Sequence, residues 1–142
     1  MRLSSRTLLF VALIGACCLS APETRAIIVH GTPIVVQAHG RGSSARTFVL
    51  TGAAEGLSDS GSAERSQCAD GQVLSGTETL HGRFGTLTLD WTARRHSSGE
   101  IRGTWTLAAA VGAYTGFRGH GDLVAQRTLA NARYTGLLIA AV

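Results

Sequence analysis

The chain has 142 residues, of which 44% are hydrophobic and 15% are charged, and its formal net charge is +4 at pH 7. That length allows one domain of ordinary size whose core needs no disulfide bonds for stability. The 13 basic residues are scattered, apart from Arg94 and Arg95, and they are not interleaved with aromatic residues. The clustered basic stripe of a nucleic-acid-binding surface is therefore excluded.

The N-terminal segment has the organisation of a secretory signal peptide. Two arginines open it, and the apolar run at residues 7–16 is as long as a signal core and too short to cross a bilayer. Thr24 and Ala26 put small residues at positions −3 and −1 of a cleavage site. This pattern predicts a signal peptide over residues 1–26 and a secreted or periplasmic domain over residues 27–142, with no transmembrane helix in that domain.

Other forms of processing also fit the sequence. Cleavage after Ser20 is one alternative, and a match to a bacterial lipobox at residues 14–17 is another, which would anchor the protein in a membrane through a lipidated Cys17. Cleavage before Ile27 leaves only Cys68, as a free thiol, an intermolecular link or a buried small side chain. Of these three states, we expect that Cys68 is a buried small side chain.

The first half of the predicted domain contains two strands and a loop. Helix signals are almost absent, and Thr, Val and Gly are common, as in proteins of short strands and tight turns. Apolar runs at residues 27–30 and 34–39 flank Gly-Thr-Pro at 31–33, which predicts a first strand that is bent or broken there. Residues 46–51 alternate and predict the second strand, whereas residues 55–70, rich in Ser, Gly and Asp, predict an exposed loop.

The second half is more regular. Residues 72–81, 84–94 and 101–109 each contain the pattern Gly-Thr-x-Thr-Leu and predict three consecutive strands joined by turns. Residues 123–129 and 133–142 predict two more. Apolar and polar side chains alternate along these strands, which indicates an antiparallel sheet with one apolar face.

The last predicted strand bears on how the sheet ends. Residues 137–142 are apolar on both faces, so an exposed edge there would promote aggregation, and we expect pairing on both sides. A sheet of about seven or eight strands without helices must close into a barrel or fold into a sandwich. Pairing on both sides favours closure, so the predicted fold is all-β, a single antiparallel barrel.

The most distinctive segment runs from Gly103 to Gly121 and reads GTWTLAAAVGAYTGFRGHG. A Gly-x-Trp strand is followed by a glycine-rich turn with two aromatic residues and then by another strand. This resembles the signature of bacterial allene oxide cyclase-like β-barrels, many of them domains of unknown function, and the likeness covers residues 71–129. It implies a barrel that holds a small apolar molecule or is filled by its own side chains.

The resemblance implies a fold and not a reaction. The plant cyclases that give the family its name act on an unstable fatty-acid epoxide, and none of their site residues aligns with this chain by motif. We expect Trp105 inside the barrel, with Tyr114 and Phe117 capping one end. If a ligand is bound, Trp105 and Tyr114 are candidate contacts.

No pattern in the sequence predicts metal or nucleophilic chemistry. The five histidines have none of the spacings that chelate a metal ion, and no Gly-x-Ser-x-Gly motif is present. We therefore expect no metal ion, no cofactor and no catalytic residue.

Glu78 is the most informative acidic residue. By alternation it shares a face with Leu80 and would point to the apolar side, where its pKa would rise or it would pair with an arginine such as Arg102. An ordinary ion pair at the surface or rim is the alternative. If the interior holds a ligand, Glu78 is the predicted polar anchor, with Trp105 and Tyr114 as neighbours.

Two classes of function fit these observations. The first is a non-catalytic exported barrel that binds a small apolar ligand or another envelope protein, and we favour it. The second is an isomerase or cyclase in which the barrel shields a reactive substrate. An isomerase or cyclase requires a polar cluster inside an otherwise apolar interior. A binding barrel requires only an interior or surface of complementary shape. A structural envelope role with a solid core is a further alternative.

Overall fold

A computed structural model describes residues 28, 31–40, 45–54 and 56–140, and these fold into an eight-stranded antiparallel β-barrel. The strands are β1 (Thr32–His39), β2 (Arg46–Gly52), β3 (Ser58–Asp70), β4 (Val73–Gly82), β5 (Gly85–Arg95), β6 (Glu100–Gly112), β7 (Arg118–Gln126) and β8 (Asn131–Ile139). Each strand pairs with its sequence neighbours, and β8 also pairs with β1 to close the barrel. The predicted all-β antiparallel barrel is confirmed.

The N-terminal expectations fall outside this part of the chain. The predicted signal peptide, residues 1–26, and the alternative anchor Cys17 lie outside the described residues. Within the described ranges, no helix is both long and apolar enough to cross a membrane.

Alternation along the strands supplies the core. In β5, Leu87, Leu89 and Trp91 are buried inside the barrel, because successive side chains of a strand point to opposite faces. Strand β8 is paired on one side with β1 and on the other with β7, and Leu137 and Leu138 of the predicted apolar run 137–142 are paired on both sides. Residues 141–142 of that run lie outside the described residues. Closure thus removes the edge that would otherwise template aggregation.

The loop predicted over residues 55–70 is wrong, because Ser58–Asp70 forms β3. The inward positions of this strand include Asp59, Ala63 and Arg65, all buried. Since only one of these three side chains is apolar, the strand lacks the hydrophobic alternation by which strands are recognised.

The β3–β4 hairpin extends beyond the end of the neighbouring strand β2. β2 pairs with β3 only between residues 58 and 63, so residues 66–70 pair with β4 alone and are exposed. Cys68 lies in this stretch and is an exposed free thiol, so the expected burial is wrong. Gly71, with φ of +60°, and Gln72 make the two-residue turn between the strands.

The barrel has two distinct ends. The turns after β1, β3, β5 and β7 lie at what we call the β7–β8 end, and the turns after β2, β4 and β6 lie at the β6–β7 end. This division follows from the up-and-down order of the strands, and it positions the two polar clusters described below.

Candidate functional site

The candidate site is centred on Glu78, whose side chain is fully buried in β4. Arg46 donates its Nε–H to Oε1 of Glu78 at 3.0 Å, and Arg65 donates its Nε–H to Oε2 at 2.5 Å. Arg65 is the direct cross-strand partner of Glu78, and Arg46 begins β2 on the face shared with Phe48 and Leu50. Strand pairing and alternation therefore bring three charged side chains together inside the barrel.

The same two arginines bind the turns at the β7–β8 end. Arg46 Nη1 donates to the carbonyl oxygens of Gly40 at 2.9 Å and Ala130 at 3.3 Å. Arg65 Nη1 donates to the carbonyl oxygen of Leu129. The turn between β7 and β8 is thereby fastened over the interior by charge-assisted hydrogen bonds.

Tyr134 completes the hydrogen-bonded group. Its buried hydroxyl donates to Oε2 of Glu78 at 3.5 Å, near the upper limit for a hydrogen bond. Burial raises the pKa of Tyr134 far above its usual value, and the negative charge of Glu78 adds to that rise. Tyr134 is therefore a neutral donor throughout the physiological pH range.

Three buried nitrogen atoms beside this group lack a hydrogen-bond partner within the part of the chain that the structure describes. They are Arg46 Nη2, Arg65 Nη2 and Trp91 Nε1, and we call them the donor cluster. The guanidinium carbon of Arg65 lies 6.0 Å from the centroid of the Trp91 ring, which joins the tryptophan to the arginines. All three atoms are donors, and leaving a buried donor unpaired costs about 1–3 kcal/mol.

The charges of the cluster do not balance. Two guanidinium groups surround one carboxylate, and the side chains of Arg46, Arg65 and Glu78 are at least nine-tenths buried. A buried ion pair offsets its desolvation cost only when its remaining hydrogen-bonding groups are satisfied. The site therefore carries an excess positive charge together with three buried donors that are unpaired among the described residues.

Trp105 is buried inside the barrel near the closely approaching strands β7 and β8. Gly121 of β7 faces Gly136 of β8, and a Cβ on either would lie only 1.9–2.1 Å from a backbone carbonyl oxygen. Trp105 lies beside Gly119, where a Cβ would be 3.2 Å from its ring, and it donates Nε1–H to the carbonyl oxygen of Thr135 at 3.2 Å. The Trp105 indole is thus packed inside the barrel, and its N–H group is hydrogen-bonded to the backbone of β8.

Tyr114 lies at the opposite end from Glu78. Its hydroxyl donates to Oδ2 of buried Asp59 at 2.8 Å, and its ring packs edge-on against Phe117 with centroids 5.9 Å apart. Asp59 also accepts the backbone N–H of Arg83 at 2.6 Å and that of Phe84 at 3.2 Å. Tyr114 and Asp59 together lock the turns of the β6–β7 end, and the structure does not bring Tyr114 to the Glu78 cluster.

Glu78 points to the apolar side and pairs with arginines, as expected, but the arginine named as an example, Arg102, is not one of them. Arg102 lies on the outside of β6 and pairs with Glu100 at 2.8 Å, where its hydrogen bond lowers the pKa of Glu100. The alternative of a surface or rim ion pair for Glu78 is also wrong, because that side chain is fully buried.

Sequence reasoning missed Arg46 and Arg65. Alternation in residues 46–51 places Arg46 on the face of Phe48 and Leu50, so that arginine could have been found. Arg65 lies in the segment taken for a loop, and no signal in that segment marks it.

No group of three or more His, Cys, Asp and Glu side chains in the described ranges is placed to hold a metal ion. No protein-family model, curated protein or solved structure matches this chain. The resemblance to allene oxide cyclase-like barrels over residues 71–129 therefore stays a prediction from the sequence.

Proposed function

We propose that this protein is an exported, non-catalytic β-barrel of the allene oxide cyclase-like type that binds a small, largely apolar molecule in its interior. The observation that carries the proposal is the donor cluster beside Glu78: three buried N–H groups without a partner among the described residues, in a largely apolar core. Ligand sites typically combine an apolar lining with a few polar groups of this kind. Glu78 acts in this proposal by orienting Arg46 and Arg65.

An interior ligand is favoured over an envelope-protein partner. The exposed large hydrophobic side chains of the described residues are Val49, Val73 and Val111, which lie on β2, β4 and β6. These strands are not neighbours in the barrel, so the three valines do not form the contiguous apolar patch typical of a protein interface.

The second candidate function is that of an isomerase or cyclase, and one observation favours it. Glu78 and Tyr134 provide a carboxylate and a neutral hydroxyl within an apolar interior, as such an enzyme would need. Both oxygens of Glu78 already accept guanidinium N–H groups, which engages the carboxylate as an acceptor rather than leaving it available as a base. Binding without catalysis therefore ranks first.

The binding proposal is tested with a neutral apolar fluorophore, N-phenyl-1-naphthylamine, titrated into the purified protein. Ala132 of β8 is buried, whereas the adjacent Arg133 is exposed on the outside. Ala132→Leu adds volume to the interior, and Arg133→Leu adds the same side chain to the outer surface. We expect saturable fluorescence enhancement that Ala132→Leu reduces at least about fivefold in affinity, a loss of the size expected when a site is overfilled.

Arg133→Leu serves as the matched control and should bind the fluorophore as the unaltered protein does. Equal binding by all three proteins would locate the fluorophore on the surface. That result, or no enhancement at any concentration, would refute the proposed interior site.

A further inference from the structure

We propose that the interior site takes a carboxylate monoanion, whose two oxygens accept hydrogen bonds from Arg46 Nη2, Arg65 Nη2 and Trp91 Nε1. This inference rests on the proposed function and gives the ligand its chemical class: a small organic acid with an apolar body.

The covalent geometry of arginine aims the free donors into one region. Nε and Nη2 lie on the same edge of a guanidinium group and form the fork that binds carboxylates. Arg46 and Arg65 each direct Nε to a different oxygen of Glu78, so each Nη2 lies on the guanidinium edge that faces this carboxylate. Both remain without a partner among the described residues, as does Trp91 Nε1 next to Arg65.

The charge of the site selects a monoanion. Two arginines and one glutamate leave a single excess positive charge in the buried cluster. One carboxylate would neutralise this charge, whereas a phosphate dianion would reverse it and would cost more to remove from water. A water molecule could accept two of the three N–H groups but would leave the charge unbalanced.

The surroundings favour a small acid. Ala38, Ala125 and Ala132 occupy neighbouring inward positions of β1, β7 and β8, near the turn that Arg46 and Arg65 bind. Strands that carry alanine fill less of the interior than strands that carry leucine or phenylalanine. The apolar body of the acid would therefore lie beside these alanines, with its carboxylate on the donor cluster.

The two tryptophans give a direct readout of this contact. The chain contains only Trp91 and Trp105, so the indole region of a proton–nitrogen correlation spectrum should hold two signals. Trp105 Nε1–H is bonded to the carbonyl oxygen of Thr135, whereas Trp91 Nε1–H is free among the described residues. Trp91→Phe assigns the signals.

The experiment titrates sodium butyrate into the full-length domain at pH 7 and constant ionic strength, with butyramide as the uncharged isostere. We expect a saturable downfield shift of the Trp91 indole proton with butyrate, little movement of the Trp105 signal, and no shift with butyramide. Arg65→Gln should weaken butyrate binding at least about tenfold, since it removes a charge-assisted hydrogen bond. Arg102→Gln removes an exposed arginine and should change binding less than about twofold.

The comparison of butyrate with butyramide needs no variant, so misfolding of Arg65→Gln would not affect it. No saturable shift of the Trp91 signal with butyrate would overturn the carboxylate assignment and indicate a site occupied by water. Equal shifts with butyramide would overturn the assignment while leaving a ligand-binding barrel intact. Failure of the neutral fluorophore as well would refute the proposed function itself.

Discussion

At the scale of single residues, the Glu78 carboxylate supplies the counter-charge that stabilises the two buried arginines, Arg46 and Arg65. Each arginine donates to a separate oxygen of this fully buried carboxylate. Removing the carboxylate leaves two like charges unpaired in a low-dielectric environment, which costs far more than an exposed ion pair is worth. The stability of the cluster therefore depends most strongly on the Glu78 carboxylate.

We expect Glu78→Gln to lower the free energy of unfolding by about 3–5 kcal/mol, because it leaves buried guanidinium groups without their counter-charge. Chemical denaturation monitored by circular dichroism measures the change. Asp90→Asn is the matched control: Asp90 is exposed on neighbouring β5, and its loss should cost less than about 0.5 kcal/mol. Similar effects for the two variants would contradict a charged interior.

The tyrosines make stability depend on alkaline pH. Burial, followed by the hydrogen bond to Asp59, raises the pKa of Tyr114, and burial followed by the charge of Glu78 raises that of Tyr134. An unfolded chain loses both protons as the pH passes the usual tyrosine pKa of about 10, whereas the folded protein retains them. The stability contribution is therefore complete below pH 10 and decreases above it.

We expect the free energy of unfolding to fall above pH 10 with a slope of up to about 1.4 kcal/mol per pH unit for each tyrosine. The variant with both Tyr114→Phe and Tyr134→Phe should lose this slope, since the chain has only these two tyrosines. Urea denaturation at a series of pH values measures it. An unchanged slope in the double variant would show that other groups cause the alkaline loss.

At the scale of elements, β3 explains why part of the fold was predictable and part was not. β5 carries Leu87, Leu89 and Trp91 on one face, and that hydrophobic alternation is enough to identify a strand and its orientation. β3 turns Asp59 and Arg65 inward instead, so its pattern resembles that of a solvated loop. A strand whose inward face carries polar side chains is not recognised by alternation, and Arg65 of the candidate site was missed together with its strand.

The pairing of β7 with β8 depends on glycine. A Cβ at Gly136 would lie 2.1 Å from the carbonyl oxygen of His120, so the two strands could not keep their present separation. We expect Gly136→Ala to lower the thermal unfolding midpoint and to cost about 3 kcal/mol through overpacking.

Gly31→Ala is the comparison for this prediction. Gly31 has a φ of +62°, and no atom of the described residues lies within 4 Å of a Cβ there, so only backbone strain of about 1 kcal/mol is expected. If Gly31→Ala proves as damaging as Gly136→Ala, close strand approach is not what requires the glycine.

At the scale of the whole molecule, closure of the sheet limits the size of the interior. Eight strands enclose an interior just wide enough to be filled by side chains or to hold one small ligand. In this barrel the β6–β7 end is locked through Asp59 and Tyr114, and the β7–β8 end is fastened by Arg46 and Arg65. The two arginines of the donor cluster thus also bind the turn between β7 and β8.

The sequence specifies the closed sheet better than it specifies the site. Glu78 could be assigned to the apolar side by alternation within its strand. Its partners Arg46 and Arg65 lie 32 and 13 residues away along the chain, and only the closed pairing of β2, β3 and β4 brings them to it. Long-range contacts of this kind are not contained in local patterns.

The most direct test of an exported, ligand-binding barrel is native mass spectrometry of the protein purified from the envelope of its own host, compared with its denatured mass. We predict a chain that begins at Ile27, with additional mass in the native spectrum that is lost on denaturation. Identical native and denatured masses would contradict the ligand-binding account. A chain that begins at a lipidated Cys17 would contradict the predicted cleavage.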